Sequence, residues 1–121
     1  MEVFSLVICH SDPGTAQALA ASLSQHFGPV KLVKKYEEIR SAVSRQGADV
    51  LVLDLETARL ELIGRLHREF PGLCIVATHR LADEHLWTEA MNQGAADVCE
   101  PRNDQVVQSV MRERAHFAAA A

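Results

Sequence analysis

An α/β sandwich, a parallel sheet with helices on both faces, is the fold class this sequence predicts, and three observations predict it. The first is Val50-Leu51-Val52-Leu53, an unbroken apolar run flanked by Asp49 and by Asp54-Leu55. Short Val- and Leu-rich runs of this kind are strands buried on both faces. The second is strict alternation: five apolar runs are each followed by a helical pattern, with short connections and no internal repeat. The third is size. A chain of 121 residues with 48% hydrophobic and 23% charged residues is large enough for one real core and ordinary for a single domain.

In chain order, Val3 to Cys9 reads as the first strand. Asp12-Pro13-Gly14 then opens a helix, Asp12 capping the free amides and proline taking the first helical position. Ala16, Leu19, Ala20, Leu23 and Phe27 recur at helical spacing and give it one buried face, and Gly28-Pro29 ends it. Val30 to Val33 is a short second strand with a lysine patch, Lys31, Lys34 and Lys35, read as a solvated edge. The second helix is placed at Tyr36 to Gln46, with Ile39, Ala42 and Val43 inward and Gly47 as its stop.

The central strand follows. Thr57 is the expected cap of a third helix that buries Leu62, Ile63, Leu66 and Phe70 and breaks at Pro71-Gly72. Leu73 to Thr78 is the fourth strand, Asp83 to Gln93 the fourth helix, and Ala96 to Cys99 the fifth strand. Asn103 or Asp104 is expected to cap a last helix whose apolar side is Val106, Val107, Val110, Met111 and Phe117. Residues 1–117 form the expected domain, and 118–121, an alanine run, either extends that helix or starts a linker.

Bulk properties exclude several functions. A net charge of -4 gives no electrostatic reason to expect direct nucleic-acid binding. No apolar run approaches the roughly 18 residues of a membrane span, and Met1-Glu2-Val3-Phe4 lacks a signal peptide's basic start and apolar core. A cytoplasmic location is the expectation. Cys9, Cys74 and Cys99, an odd count in apolar runs, suit a reducing compartment and read as small buried hydrophobes. In an open parallel sheet the ligand site lies beyond the carboxyl ends of the strands, which puts Asp54 at the floor of any cleft.

Landmarks spread over nearly the whole length carry a resemblance. They are Ser11-Asp12-Pro13 after the first strand, Val50-Leu51-Val52-Leu53-Asp54, Ile75-Val76-Ala77-Thr78, Ala90-Met91-Asn92-Gln93-Gly94-Ala95-Ala96-Asp97, and Glu100-Pro101. In this order and spacing the chain resembles the receiver domain of two-component response regulators. The resemblance implies a doubly wound, flavodoxin-like sheet of five parallel strands in the order 2-1-3-4-5. It also implies a phosphoryl transfer from a sensor histidine kinase to an aspartate. That transfer uses magnesium held by an acidic pair, with a hydroxyl and a lysine on the phosphoryl oxygens, and its catalysis is positioning and charge stabilisation.

Residue by residue, Asp54 matches the phospho-acceptor and Thr78 the hydroxyl position, but the rest departs. His10 and Ser11 fill the acidic-pair positions, and imidazole and hydroxyl are poor magnesium ligands. Asp12 stands one residue further on, as a helix cap in preference to a displaced ligand; with Asp54 it completes any metal set. Glu100 replaces the lysine. At about 4 Å and an effective dielectric of ~20, like charges repel by roughly 4 kcal/mol where the lysine would attract. Arg102 is the nearby cation that could swing in. The segment Leu55-Glu56-Thr57-Ala58-Arg59 is short and lacks the family's Met-Pro-x-x-Asp-Gly. Val98 stands at the aromatic switch position and cannot flip as an aromatic does.

The expectation is therefore a pseudo-receiver: no enzyme, no cofactor, and action through a protein partner or effector domain. The alternative is a working phospho-acceptor that takes phosphate on Asp54 from a histidine kinase, with magnesium. Trp87, Met91 and Val98 are the candidate interface, on a homodimer face of the fourth helix, fifth strand and fifth helix. Trp87 capping the core is the competing reading. Other chemistry fares worse. His10, Asp54, His79 and Glu100 could bind zinc but lack regular ligand spacing. Ser11, His79 and Asp54 lack a nucleophile elbow, and His10-Ser11-Asp12-Pro13-Gly14 lacks the glycine spacing of a dinucleotide turn.

Overall fold

The period-2 pattern of the strands divides the core in two, and the division sets the architecture. In the computed structural model, which describes residues 4–56, 58–81 and 83–120 with side chains as far as Ala115, the elements alternate as expected. They are β1 (Leu6–Cys9), α1 (Pro13–His26), β2 (Val30–Val33), a 3-10 turn (Tyr36–Glu38), α2 (Ile39–Gln46) and β3 (Val50–Asp54). Then come α3 (Leu60–Glu69), β4 (Cys74–Thr78), α4 (Glu84–Gln93), β5 (Asp97–Cys99) and α5 (Asn103–Ala120). The five strands form one sheet in the order β2-β1-β3-β4-β5, and every pair is parallel.

Leu6, Ile8, Val50, Val52, Cys74 and Val76 face one layer, where Leu19 and Leu23 of α1 and Val106 and Val110 of α5 cover them. Val7, Cys9, Leu51, Leu53, Ile75 and Ala77 face the other, against Ile39 and Val43 of α2, Ile63 and Leu66 of α3 and Ala90 of α4. Val50 to Leu53 are all fully buried. Each such side chain contributes roughly 1.5–3 kcal/mol of hydrophobic stabilisation, so β3 is the spine of the sheet.

Several boundaries differ from the sequence reading. β1 begins at Leu6, after a non-strand Phe4 and Ser5. Tyr36–Glu38 is a 3-10 turn, so α2 proper starts at Ile39. The last helix already includes Asn103 and Asp104, so neither caps it from outside. Met111 is 55% exposed and leaves the apolar side of α5. The helix continues through Ala118 to Ala120. Thr57, and the side chain of Phe117, lie outside the described residues.

One cap carries through from sequence to structure, and Asp83, read from sequence as the first residue of the fourth helix, is a second. Asp12 Oδ2 accepts the Thr15 N–H at 2.9 Å and caps α1, with Pro13 opening the helix. Asp83 Oδ1 accepts from the His85 and Leu86 amides and caps α4. Gly94 closes α4 at φ +123, where a Cβ would also strike the His67 side chain at 2.6 Å. The three cysteines are free and buried, and burial pushes each thiol up to about 12. Cys74 and Cys99 lie on the neighbouring strands β4 and β5.

Candidate functional site: the carboxyl edge of the sheet

Parallel register brings the chemistry to one edge. Cys9 pairs with Leu53, so the residues just past β1 meet the end of β3; Asp54 pairs with Thr78. His10, Ser11, Asp54 and Thr78 are thereby brought together, as the resemblance implies. Asp54 is only 1% exposed and lies beneath the lining of the cleft, not open to it.

Its carboxylate is held from within the chain. Oδ2 accepts the Ser11 hydroxyl at 2.6 Å and the Ser11 N–H at 3.3 Å, while Oδ1 accepts the Glu56 N–H at 2.9 Å. His10 Nδ1 lies 4.0 Å from Oδ2 and itself accepts the Asp12 N–H at 3.1 Å. Burial pushes the Asp54 pKa up, but the Ser11 hydroxyl, the Glu56 amide and His10 together outweigh it, and the net shift is downward. Ser11 is the residue whose role the sequence reading understated. It is a poor metal ligand, yet its hydroxyl stands against the carboxylate.

The cleft above is lined by His10, Ser11, Asp12, Thr15, Glu56, Arg80 and Pro101 and encloses about 430 Å³. Arg80 and Glu56 were not singled out from sequence. Arg80 Nε donates to Glu56 Oε1 at 2.7 Å, and this bond, with the Glu56 charge, raises the guanidinium pKa. A signal existed: each residue stands two positions beyond the paired Asp54 and Thr78, with opposite charges. Arg102 does not swing toward the cleft; its guanidinium is 3.4 Å from Asp104. The Glu100 N–H donates to Gln105 Oε1 at 3.2 Å, and no lysine stands at this position. Thr78 is fully buried, and its hydroxyl has no hydrogen-bond partner among the described residues.

These donors do not fit a divalent cation. Asp12 Oδ2 also accepts the Thr15 hydroxyl at 2.6 Å, which with the amide bond lowers the Asp12 pKa and commits it to the cap. His10 Nδ1 and the Ser11 hydroxyl are engaged as described, and Glu56 is paired to Arg80. Among the described residues no three His, Cys, Asp or Glu side chains gather into a metal-holding group. His79 Nδ1 accepts the Leu81 N–H at 3.0 Å, which takes that nitrogen out of any zinc set with His10 and Asp54.

The candidate interface residues separate by exposure. Val98 is buried and Trp87 is half-buried against the α2–α4 side of the core, its indole nitrogen buried without a partner among the described residues. Met91 is 52% and Leu81 67% exposed. Among the described residues no helix is long and apolar enough to cross a membrane.

No protein-family profile matches this sequence, and no curated protein matches it. Solved structures do. The chain is similar to NtrX from Brucella abortus, with a TM-score of 0.88 at 15% identity over 98% of this chain. It spans 28% of that chain's length. A response regulator from Thermotoga maritima matches at 0.83 and 22% identity, covering 92% of this chain and 97% of that one. The BeF3-activated N-terminal receiver domain of Klebsiella pneumoniae RstA matches at 0.79 and 22%, covering 93% and 97%. The fold is thus that of response-regulator receiver domains, flavodoxin-like with five parallel strands.

Proposed function

We propose that this chain is a receiver-type signalling module of a two-component-like regulator, acting through protein contacts without magnesium-dependent phosphorylation of Asp54. The observation that carries the reading is the Ser11 hydroxyl seated on Asp54 Oδ2 at 2.6 Å. A phosphoryl donor must reach that oxygen, and a magnesium ion must bind beside it. Among the described residues one hydroxyl and two backbone amides bond the carboxylate, and Glu56 and Arg80 in the cleft above pair with one another. The module would work in the cytoplasm, with an effector domain or protein as its partner.

Three observations favour the second reading, a phospho-acceptor with an unusual pocket. Asp54 and Thr78 keep their strand-neighbour placement, the Thr78 hydroxyl has no partner among the described residues, and Arg80 stands at the cleft as a cation. Intact mass after incubation with acetyl phosphate and magnesium separates the two. The pseudo-receiver reading expects no adduct. A phosphoryl adduct on the parent protein, absent from Asp54→Asn, would establish the second reading instead.

The contact face we propose is that of α4, β5 and α5, with Met91 as its exposed apolar element and Trp87 as the support beneath. Asp97 ties β5 to α5 by accepting from the Ser109 hydroxyl at 2.7 Å and from Arg112 at 2.6 Å. Met91→Glu is expected to weaken self-association in sedimentation while leaving the fold intact. Unchanged association of the variant, or a parent that is monomeric throughout, removes this face as a homodimer contact.

A further inference from the structure

The sheet has two edges, and they are unlike. β5 is a three-residue strand whose Val98 and Cys99 are buried, with Asp97 tied to α5. β2 is longer and barer: Lys31 and Leu32 are exposed, and its backbone pairs with β1 alone. The Leu6 N–H donates to the Pro29 carbonyl at 3.0 Å, which fixes the alternation along the strand. Lys31 and Val33 turn their amides and carbonyls toward β1, and Val30 and Leu32 turn theirs outward. Among the described residues nothing takes up those outward groups. An open row of this kind is a template for one further strand.

The side chains along the edge set what that strand would carry. Leu32 is 38% exposed, and with Pro13 and Ala16 of α1 it walls a groove of about 200 Å³ that Lys34 also lines. Lys31, Lys34 and Lys35 enter no ion pair among the described residues. On the α2 side, Lys31 and Arg45 share a groove with Glu37 and Glu38, which offset them. That leaves Lys34 and Lys35, just past the end of β2, as the positive surplus of this edge in a chain of net charge -4. Lysines on an exposed edge also oppose pairing with a second, like-charged copy.

We propose that the β2 edge binds an extended acidic segment of a partner protein as a sixth strand. The segment's backbone would bond the outward groups of Val30 and Leu32, and an apolar side chain would lie on Leu32. Carboxylates at its end would meet Lys34 and Lys35. In this mode of recognition the backbone bonds supply affinity and the side chains supply selection. The surface lies at the other edge of the sheet from the α4–β5–α5 face, so the proposal goes beyond the functional reading above. It stands whether or not Asp54 is phosphorylated.

Amide shift mapping on the full chain tests it, with a capped peptide of alternating valine and threonine flanked by glutamates as the probe. The expected result is saturable binding, with shifts centred on Val30 to Lys34 and slowed exchange of the Val30 and Leu32 amides. Reversing both surplus charges, Lys34→Glu with Lys35→Glu, should weaken binding about tenfold. A peptide flanked by lysines should bind the parent correspondingly weakly. Methylating the peptide's backbone nitrogens should abolish binding while keeping every charge. Leu32→Pro should do the same from the protein side, since its N–H faces away from β1 and an edge strand tolerates proline there. Binding that ignores backbone methylation or the lysine reversal overturns the proposal, as do shifts that never saturate. A parent that sediments as a dimer with its Val30 and Leu32 amides already protected overturns it too, because a second copy then holds the edge.

Discussion

The two halves of the sheet's carboxyl edge handle their polar groups in opposite ways. On the β1–β3 half, Ser11, His10 Nδ1, Asp12 and the Asp54 carboxylate bond one another or nearby amides. On the β4–β5 half, the Thr78 hydroxyl is buried without a partner among the described residues, Arg80 is turned to Glu56, and a glutamate stands where a lysine is expected. The half that would hold a metal has become a hydrogen-bonded unit around Asp54, in which His10 Nε2 is left without a partner among the described residues. The half that would hold phosphoryl oxygens keeps an uncompensated hydroxyl. A buried carboxylate such as Asp54 is expensive unless it is paired or hydrogen-bonded. Ser11 offsets that cost, so its place is structural as well as a departure from the family pattern.

The contrast can be broken by paired substitutions. Ser11→Ala removes a hydroxyl bond to a buried carboxylate and is expected to destabilise the fold by about 1–2 kcal/mol, the usual range for a partly exposed bond to a charged group. Urea unfolding reads this directly, and an unchanged midpoint would mean that Ser11 does not support Asp54. Thr78→Val is the smaller and opposite case. It removes an unmatched hydroxyl at nearly constant shape, so stability should stay level or rise by up to about 1 kcal/mol. A clear loss on Thr78→Val would show that this half is as tightly matched as the other.

Most of the fold was legible because buried parallel strands leave an unambiguous mark. The fully buried Val50–Asp54 strand emerges where its apolar run places it, as does the largely exposed edge strand Val30–Val33. Helix starts were less legible: Tyr36–Glu38 carries helical spacing but closes a 3-10 turn, and apolar periodicity does not separate the two. Met111 fits the stripe of α5 by spacing, yet the helix turns it to solvent. At the site, Asp54, Thr78, His10 and Ser11 were found by their positions along the chain. Arg80 and Glu56 were not, because their pairing is a product of strand register across 24 residues. The Ser11 hydroxyl bond was invisible for the same reason. Sequence showed which ligand was lost, and only the folded geometry showed what took its place.

The account rests on Asp54 being an internally held carboxylate, and titrating its side-chain carboxyl by carbon NMR tests that most directly. The expected pKa lies below the ordinary 3.8, with the Ser11 and Glu56 bonds and nearby His10 outweighing burial. A depressed folded-state value stabilises the protein above the unfolded pKa, and that stability is lost as pH falls through the folded one. Acid unfolding should therefore track Asp54 protonation, and Ser11→Ala should raise the pKa. Millimolar magnesium should leave the titration curve of the parent unmoved. A curve that shifts with magnesium, or a pKa that ignores Ser11→Ala, would contradict the account.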